Sequence, residues 1–514
     1  MTHAFDPRHP VAVPLSRIAG VAGTQHRGDT VVTGVAVSSG GVRPGALFAA
    51  LPGRRSHGAE HVQAAAAAGA TAVLTDPAGA GRAAATGLPV LVVDHPRAVL
   101  GAVAAAVYGT ARLPFPVFGV TGTNGKTTTV HVLDAVLRRL GRRTAHSSTV
   151  DRRIGSTTAA SALTTPEAPE LHAFLAAAAE ARVEGVALEV SAQALTRHRA
   201  DGVVVDVAGF TNLSHDHLDD YTDMDAYLAA KAEFFTPAHA RAGVVSLDSP
   251  AGHRIVAAAR VPVTTVTVHP DVAADWSVRA TEQRADGTRA ELTAPDGAVL
   301  AFTVALLGTH AAADTGLALA MLAVSGVPFA ALRAATASPL DLVVPGRMAD
   351  ASAPTGPRVW VDFAHTPDAF AKSLEAVRAV VPGTVAIVLG ADGDRDPSKR
   401  HAMGVVAATA ADVVVVADHH PRTEAPDPIR AAILAGARSV GTGAVVVEEP
   451  DPARAIRVAI EAVGDDGAVY WAGPGLTDYR DVDGVHVPYS SFHDAERALA
   501  EAGHPRRTCE LSTP

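Results

Sequence analysis

The 514-residue chain is poor in several things at once. Its single cysteine, Cys509, stands in the last few residues, so neither a disulfide framework nor a thiolate zinc cluster is available. Aromatic residues make up 4% against 48% hydrophobic residues in all, so the cores must be built from Ala, Val and Leu rather than from large rings. Lys and Arg (43) fall short of Asp and Glu (53), and no basic tract occurs. A net charge of −10 of this kind argues against a nucleic-acid partner and gives no reason to invoke an anionic membrane. No stretch approaches the roughly 20 apolar residues of a membrane span, and "MTHAFDPRHPVAVPLSRIAG" lacks a basic start followed by an apolar run. The expectation is a cytoplasmic monomer without membrane insertion or nucleic acid, whose anionic ligands need positive charge focused inside a cleft.

What is present is a long alternation of short Val/Leu strands and Ala-rich helical patterns. At this length two to four domains are expected. From Val31 to Val93 the stretches "VVTGVAVSS", "ALFAAL", "TAVLTD" and "LPVLVV" alternate with helical patterns, and "YGTARLPFP" reads as a linker. A second region opens with "VFGVTG". It carries the strands "GVALEVS" and "VDVAGFTNL" and ends in a β-rich stretch, Trp276 to Gly308, that suggests hairpins. A third region begins near "VPGRM" and alternates again through "RVWVDFAH", "TVAIVLGAD", "DVVVVADHH", "GAVVVEEP" and "AVYWAGPG". Three consecutive α/β domains are predicted, over residues 1–112, 113–344 and 345–514.

"GVTGTNGKTTTVHVLDAVLRRLG" has the context of a phosphate-binding loop: an apolar strand, a Gly-rich turn, Gly-Lys-Thr, then a helix with Val130, Leu133, Val136, Leu137 and Leu140 at helical spacing. Turn amides and helix dipole favour an anion there. Lys126 would counter the β/γ-phosphates, and Thr127 would offer a hydroxyl to Mg²⁺. Glu189 follows an apolar strand, and "FTNLSHDHLDD" places His215, Asp216 and His217 after another. These strand ends are where an open α/β sheet gathers its ligands. The neighbouring acidic residues Asp219, Asp220, Asp223 and Asp225 read as a solvated turn, and Lys231 on its own reads as a snorkelling surface lysine. In the third region Asp362 and His365 follow one strand, and Arg395, Lys399 and Arg400 lie in a Gly/Asp turn. His419, His420 and Arg422 follow a further strand. The basic groups suit carboxylates or phosphates, and the two histidines lack a third ligand at a spacing that suggests zinc.

The ordered series "TGTNGKTT", "LEVS", "FTNLSHDHLD", "YLAAKAEFF", "VPGRM", "DFAHTPDA", "GDRDPSKR" and "PRTE" resembles the Mur ligases over roughly Val31 to Tyr479. Within them it is most similar to the branch that adds the third peptide residue to UDP-N-acetylmuramoyl-L-alanyl-D-glutamate. The resemblance implies a three-domain α/β architecture with a central P-loop ATPase domain and a Rossmann-like C-terminal domain. It also implies an ATP-dependent ligase of peptidoglycan synthesis that activates a carboxylate as an acyl phosphate. Its partners would be small molecules: ATP, the UDP-muramoyl-dipeptide and an amino acid. Matched residue by residue, it puts Gly122, Thr123, Asn124, Gly125, Lys126, Thr127 and Thr128 on the triphosphate and Thr127, Glu189 and His217 on Mg²⁺. Lys231 becomes a carbamate that helps hold a second Mg²⁺. Arg347, Asp362 and His365 would close onto the nucleotide, and Ser38, Thr164, Thr165, Ser191 and Arg199 would grip the muramoyl-dipeptide. Arg395, His419, His420, Pro421, Arg422, Gly473 and Thr477 would form the amino-acid pocket.

The sequence departs from the family where substrates are recognised. Val37-Ser38-Ser39 replaces the usual Asp-Ser-Arg, Ala192 and Gln193 interrupt the usual Ser-Ser-His, and Ala311 and Asp314 stand where asparagines are usual. His419-His420-Pro421-Arg422 replaces Asp-Asn-Pro-Arg, and "GPGLT" replaces Gly-Lys-Gly-His-Glu. With the anionic partners of a distal ammonium gone, weak use of meso-diaminopimelate is expected. A paralogue joining another amino acid to another carboxylate in a specialised pathway is the alternative. A non-catalytic ATP-binding descendant is opposed by Lys126, Thr127, Glu189, His217 and Lys231 all being present.

Overall fold

The computed structural model describes residues 5–505 apart from 27, 29, 54, 55 and 341, so Cys509 lies outside the described residues. Three large sheets follow one another along the described residues. The first is a four-stranded parallel sheet, Gly34–Ala36, Ala46–Ala50, Ala72–Thr75 and Val90–Val92 in spatial order. The run "VVTGVAVSS", legible as one strand, splits at Thr33: Val31–Val32 pairs instead with Val13–Pro14 in a separate two-stranded ribbon.

The central sheet has eleven strands. At its heart Val117–Thr121 is flanked by Gly185–Glu189 and Val205–Phe210, all parallel. Purely parallel strands buried on both faces need continuous apolar runs, and "VFGVT" and "GVALE" supply them with every residue buried. The predicted hairpins form the far edge as the antiparallel strands Trp276–Arg284, Gly287–Thr293 and Val299–Val304. The loop helix Lys126–Arg139 is buried over eleven positions rather than along one stripe, because the helix Thr309–Val324 covers the side that would otherwise meet water.

The third sheet runs Ala349–Asp350, Arg358–Asp362, Ala468–Ala472, Val385–Leu389, Val413–Val416 and Val445–Glu448, parallel except for the first strand. It is sandwiched between two apolar layers, one centred on Trp360, Phe370 and Ile387 and one on Val359, Val388 and Trp471. No helix among the described residues is long and apolar enough to cross a membrane. The protein is α/β throughout, with a central phosphate-loop domain and a Rossmann-like C-terminal domain, and the strand ends of these two face one cleft of about 900 Å³.

Candidate active site

Val117–Thr121 delivers the chain into the turn Gly122 to Gly125 and then into the helix Lys126–Arg139. Gly122 (φ 148°) and Gly125 (φ 87°) hold backbone that favours glycine. A Cβ at Gly122 would overlap Thr211 Oγ1, and one at Gly125 would overlap the Asp314 carboxylate. Asn212, just past the neighbouring strand, pins the loop: its carbonyl accepts from Thr123 N–H at 2.9 Å and its side-chain oxygen from Asn124 N–H at 3.0 Å. Lys126 Nζ curls over the turn and donates to the carbonyls of Gly122 (3.1 Å) and Thr123 (2.7 Å). Burial lowers the pKa of this amine, with Glu189 and Asp216 opposing.

Around the loop stand Glu189, His217 and Lys231. Glu189 Oε2 accepts from the Thr149 N–H (2.8 Å) and hydroxyl, while Oε1 is buried without a hydrogen-bond partner among the described residues. A buried, unpartnered carboxylate oxygen is costly unless a cation or donor meets it. His217 adopts φ 60° and sets its ring against Tyr227. Desolvation, reinforced by Lys126, His365 and Lys231 against the pull of Asp216, lowers its pKa to about 4, so the imidazole is neutral near pH 7. Lys231 is not the surface lysine that local pattern suggests. It is 1% exposed, its Nζ donates to the Gly122 carbonyl at 2.7 Å and lies 4.2 Å from the centre of the Tyr227 ring. Burial first, then Lys126, holds its pKa well below that of a free lysine. An unpartnered carboxylate oxygen, the Thr127 hydroxyl and a neutral imidazole beside a phosphate loop fit Mg²⁺ with a nucleotide.

The C-terminal domain reaches into the same cleft. Arg347 Nη2 donates to Thr127 Oγ1 at 2.9 Å, and its guanidinium lies 4.7 Å from the Phe363 ring centre. Asn124 Nδ2 donates to Thr366 Oγ1 and Asp368 Oδ2, each at 3.3 Å. Buried Lys399 donates to buried Asp216 at 2.9 Å, and His365 Nε2 lies 3.5 Å from the same carboxylate. Burial would raise the pKa of Asp216, but His365, Lys399 and His217 hold it well below the carboxylate range. Asp362 is fixed by the Phe363 N–H (2.8 Å) and the Tyr470 hydroxyl (2.9 Å).

Farther along the cleft, His419 and Arg422 converge on a residue that the sequence reading missed. Asp392 Oδ1 lies 2.6 Å from His419 Nδ1, and Arg422 Nη2 donates to Asp392 Oδ2 at 2.9 Å. Asp392 also gives the histidine pair the third ligating group that spacing alone did not reveal. The signal was available: "GAD" directly follows the apolar strand Val385–Leu389. His420 Nδ1 accepts from the Asp481 N–H, and desolvation lowers its pKa to about 4. Arg395, Gly473 and Thr477 line this end. The acidic turn is likewise less idle than its pattern suggests: Asp220 binds Arg197 and Gln193, and Asp223 caps the helix Met224–Ala232.

Thr164, Ser191 and Arg199 line the cleft on the central-domain side; Thr165 sits behind it, accepting from the Ser191 N–H and donating to the Glu189 carbonyl. Arg199 is tied to Glu167, which also holds Arg97 of the first domain. Gly122, Glu189, Lys231 and Pro421 also lie behind the cleft surface, and Ser38 lies away from it, preceding the short 3₁₀ turn Ser39–Gly41.

Fold and site together define a nucleotide-dependent enzyme whose cleft is lined from two domains, and comparison with known proteins says which kind. The chain matches the models of the Mur ligase family catalytic domain over residues 31–108, the Mur ligase middle domain over 120–322 and the Mur ligase glutamate ligase domain over 346–475. It is 50% identical over 505 residues to the UDP-N-acetylmuramyl-tripeptide synthetase of Leifsonia xyli subsp. xyli, covering 97% of this chain and 98% of that one. It is 42% identical to the UDP-N-acetylmuramoyl-L-alanyl-D-glutamate--2,6-diaminopimelate ligase of Streptomyces avermitilis, over 95% and 97% of the two chains. A solved structure of a ligase of the latter name superposes with a TM-score of 0.65 at 25% identity, over 96% of this chain and all (100%) of the other. The chain belongs to the Mur ligase family. It is an ATP- and Mg²⁺-dependent ligase of peptidoglycan synthesis.

Proposed function

We propose that this ligase joins an amino acid to the carboxylate of UDP-N-acetylmuramoyl-L-alanyl-D-glutamate through an acyl phosphate. The observation that carries the reading is the cleft itself, which holds Lys126 and Thr127 at one end and Asp392, His419 and Arg422 at the other. A carboxylate becomes acylating only when its oxygen can leave. Transfer of the γ-phosphoryl group makes it so, and attack by the amine then forms the amide and releases phosphate. Lys126 counters charge on the transferring phosphoryl group, and the amides of the 122–125 turn hold the remaining phosphates. Arg347 and His365 approach from the C-terminal domain, with Asp362 positioning the turn behind them. Thr127, Glu189 and His217 would hold Mg²⁺, which would neutralise phosphate charge. Thr164, Thr165, Ser191 and Arg199 receive the muramoyl-peptide with Ser38 in the first domain. Arg395, His419 to Arg422, Gly473 and Thr477 receive the amino acid.

Lys231 serves as a carbamate in this reading. Its amine is buried and depressed in pKa, which favours the neutral form that attacks CO₂ and releases a proton as the anion forms. The anion would help hold a second Mg²⁺. The domains span 1–112, 113–344 and 345–514, and the enzyme works as a monomer in the cytoplasm. Phosphate release, measured with the UDP-muramoyl dipeptide against a panel of amino acids, tests the whole. No turnover with any of them defeats the reading. Carbon-13 NMR under labelled bicarbonate tests the carbamate, which fails if full activity persists on an unmodified Lys231.

A further inference from the structure

The phosphate-loop helix carries a second constellation one turn farther on, away from the cleft. His131 of Lys126–Arg139, His146 of Thr144–Ser147 and Asp151 of Asp151–Ile154 turn toward one point. His146 Nε2 lies 3.0 Å and His131 Nε2 3.3 Å from the same oxygen, Asp151 Oδ1. Ser148 Oγ is 3.0 Å from that oxygen and 3.4 Å from His131 Nε2. Donors bound to one ion at about 2.0–2.1 Å and at the tetrahedral angle stand roughly 3.3 Å apart. The spacings suit ligands around a small cation as well as direct hydrogen bonds. The side chains of His131, His146 and Asp151 are 8%, 3% and 16% exposed.

The second nitrogen of His146 sharpens the case. Nδ1 is buried and lies 3.5 Å from Asp134 Oδ1, so each ring nitrogen faces a carboxylate oxygen. A neutral imidazole has one N–H, so one of its two nitrogens presents a lone pair to an anion. Only a second proton or a metal ion between Nε2 and Asp151 resolves the conflict. A proton on Nδ1 directed at Asp134 is the carboxylate–histidine–metal relay that orients ligating histidines. Arg153 and Arg138 also bind Asp134.

We propose that His131, His146 and Asp151 form a site for a divalent transition metal of the Zn²⁺ type, distinct from the Mg²⁺ of catalysis, with Asp134 orienting His146. Two imidazoles and one carboxylate select borderline cations such as Zn²⁺ or Co²⁺ over oxygen-seeking Mg²⁺. Occupation ties the turn Ser148 to Asp151 to the phosphate-loop helix. Thr149 of that turn holds Glu189, so the ion buttresses the catalytic centre from behind.

Co²⁺ titrated into the full-length protein in excess Mg²⁺, followed by its visible d–d absorption and by X-ray absorption, tests this. One equivalent with two imidazoles in its ligand shell is expected. His131→Gln and His146→Gln should each abolish that band, and Asp134→Asn should weaken binding about ten- to a hundredfold. The histidine pair at His419 and His420 is the rival. Binding that survives His131→Gln but disappears in His420→Gln overturns the proposal, as does a wild-type protein with no imidazole-ligated Co²⁺. Should the histidine variants fail to fold, the wild-type ligand count together with an intact signal in His420→Gln decides it.

Discussion

Asp392→Asn tests whether the proposed amino-acid end of the cleft is separable from the nucleotide end. The carboxylate joins His419 and Arg422, and the substitution keeps the shape of the side chain while removing its charge. Burial alone would raise the pKa of Asp392, but His419, then His420 and Arg422, hold it well below the carboxylate range, so the group is an anion at any working pH. Two charge-assisted hydrogen bonds are weakened. Such bonds contribute about 1.5–3 kcal/mol each, and the 28% exposure of the side chain favours the lower end. At about 1.4 kcal/mol per decade, loss of one to two such contacts amounts to roughly a ten- to hundredfold effect. With His419 and Arg422 no longer held, the increase should fall on the KM for the amino acid, with the KM for ATP within about twofold of wild type. Initial-rate phosphate release with each substrate varied in turn gives both constants. An unchanged amino-acid KM, or equal rises in both, refutes the assignment of this pocket. The same assay addresses the acceptor: Asp392 restores an anion to the pocket, but one already engaged by His419 and Arg422. Efficient use of meso-diaminopimelate, at a lower KM than every other amino acid tried, would show that it can still receive a distal ammonium.

Lys126→Ala should lower turnover at least about a hundredfold, the scale of one lost electrostatic stabiliser, with an unchanged unfolding curve. Near wild-type turnover would remove the loop's role. Lys399→Met leaves Asp216 buried without its closest cation, so small-angle scattering with ATP should show a more open particle than wild type, and identical curves would tell against closure through this pair. His172 is 0% exposed and desolvation lowers its pKa to about 4. Because the folded pKa lies below the unfolded 6.5, the unfolded chain takes the proton first. Stability present above pH 6.5 is then lost as pH falls toward 4, by on the order of 3 kcal/mol. Urea midpoints should follow that slope, and His172→Gln should flatten it; a variant as pH-sensitive as wild type refutes the attribution.

Much of the fold was legible because parallel strands buried on both faces must be continuous apolar runs, and "VFGVT", "VAIVL" and "AVYWA" announce themselves. What escaped depends on sheet order. Nothing local to "VVTGVAVSS" says that Val31–Val32 leaves to pair with Val13–Pro14 while Gly34–Ala36 joins the parallel sheet. Pairing is decided by strands elsewhere in the chain, which periodicity does not see.

The site divides along the same line. The phosphate loop is local, so glycine spacing exposed it, and the φ values of Gly122 and Gly125 give that spacing its physical reason. Lys231 and Asp392 are non-local. A lysine among alanines on a short helix reads as solvated until the fold brings Gly122 and Tyr227 over it. A carboxylate in a Gly/Asp turn reads as solvent-facing until a later strand (Val413–Val416 against Val385–Leu389) brings His419 and Arg422 beside it. In both cases the chemistry comes from desolvation and a neighbour's charge, and neither is a property of the residue's own stretch of chain. The histidines at 131 and 146 follow the same rule. Each is a lone imidazole in its own stretch of chain, and only the strand order, which puts Thr144–Ser147 and Asp151–Ile154 side by side near the loop helix, brings both Nε2 atoms to one carboxylate oxygen of Asp151.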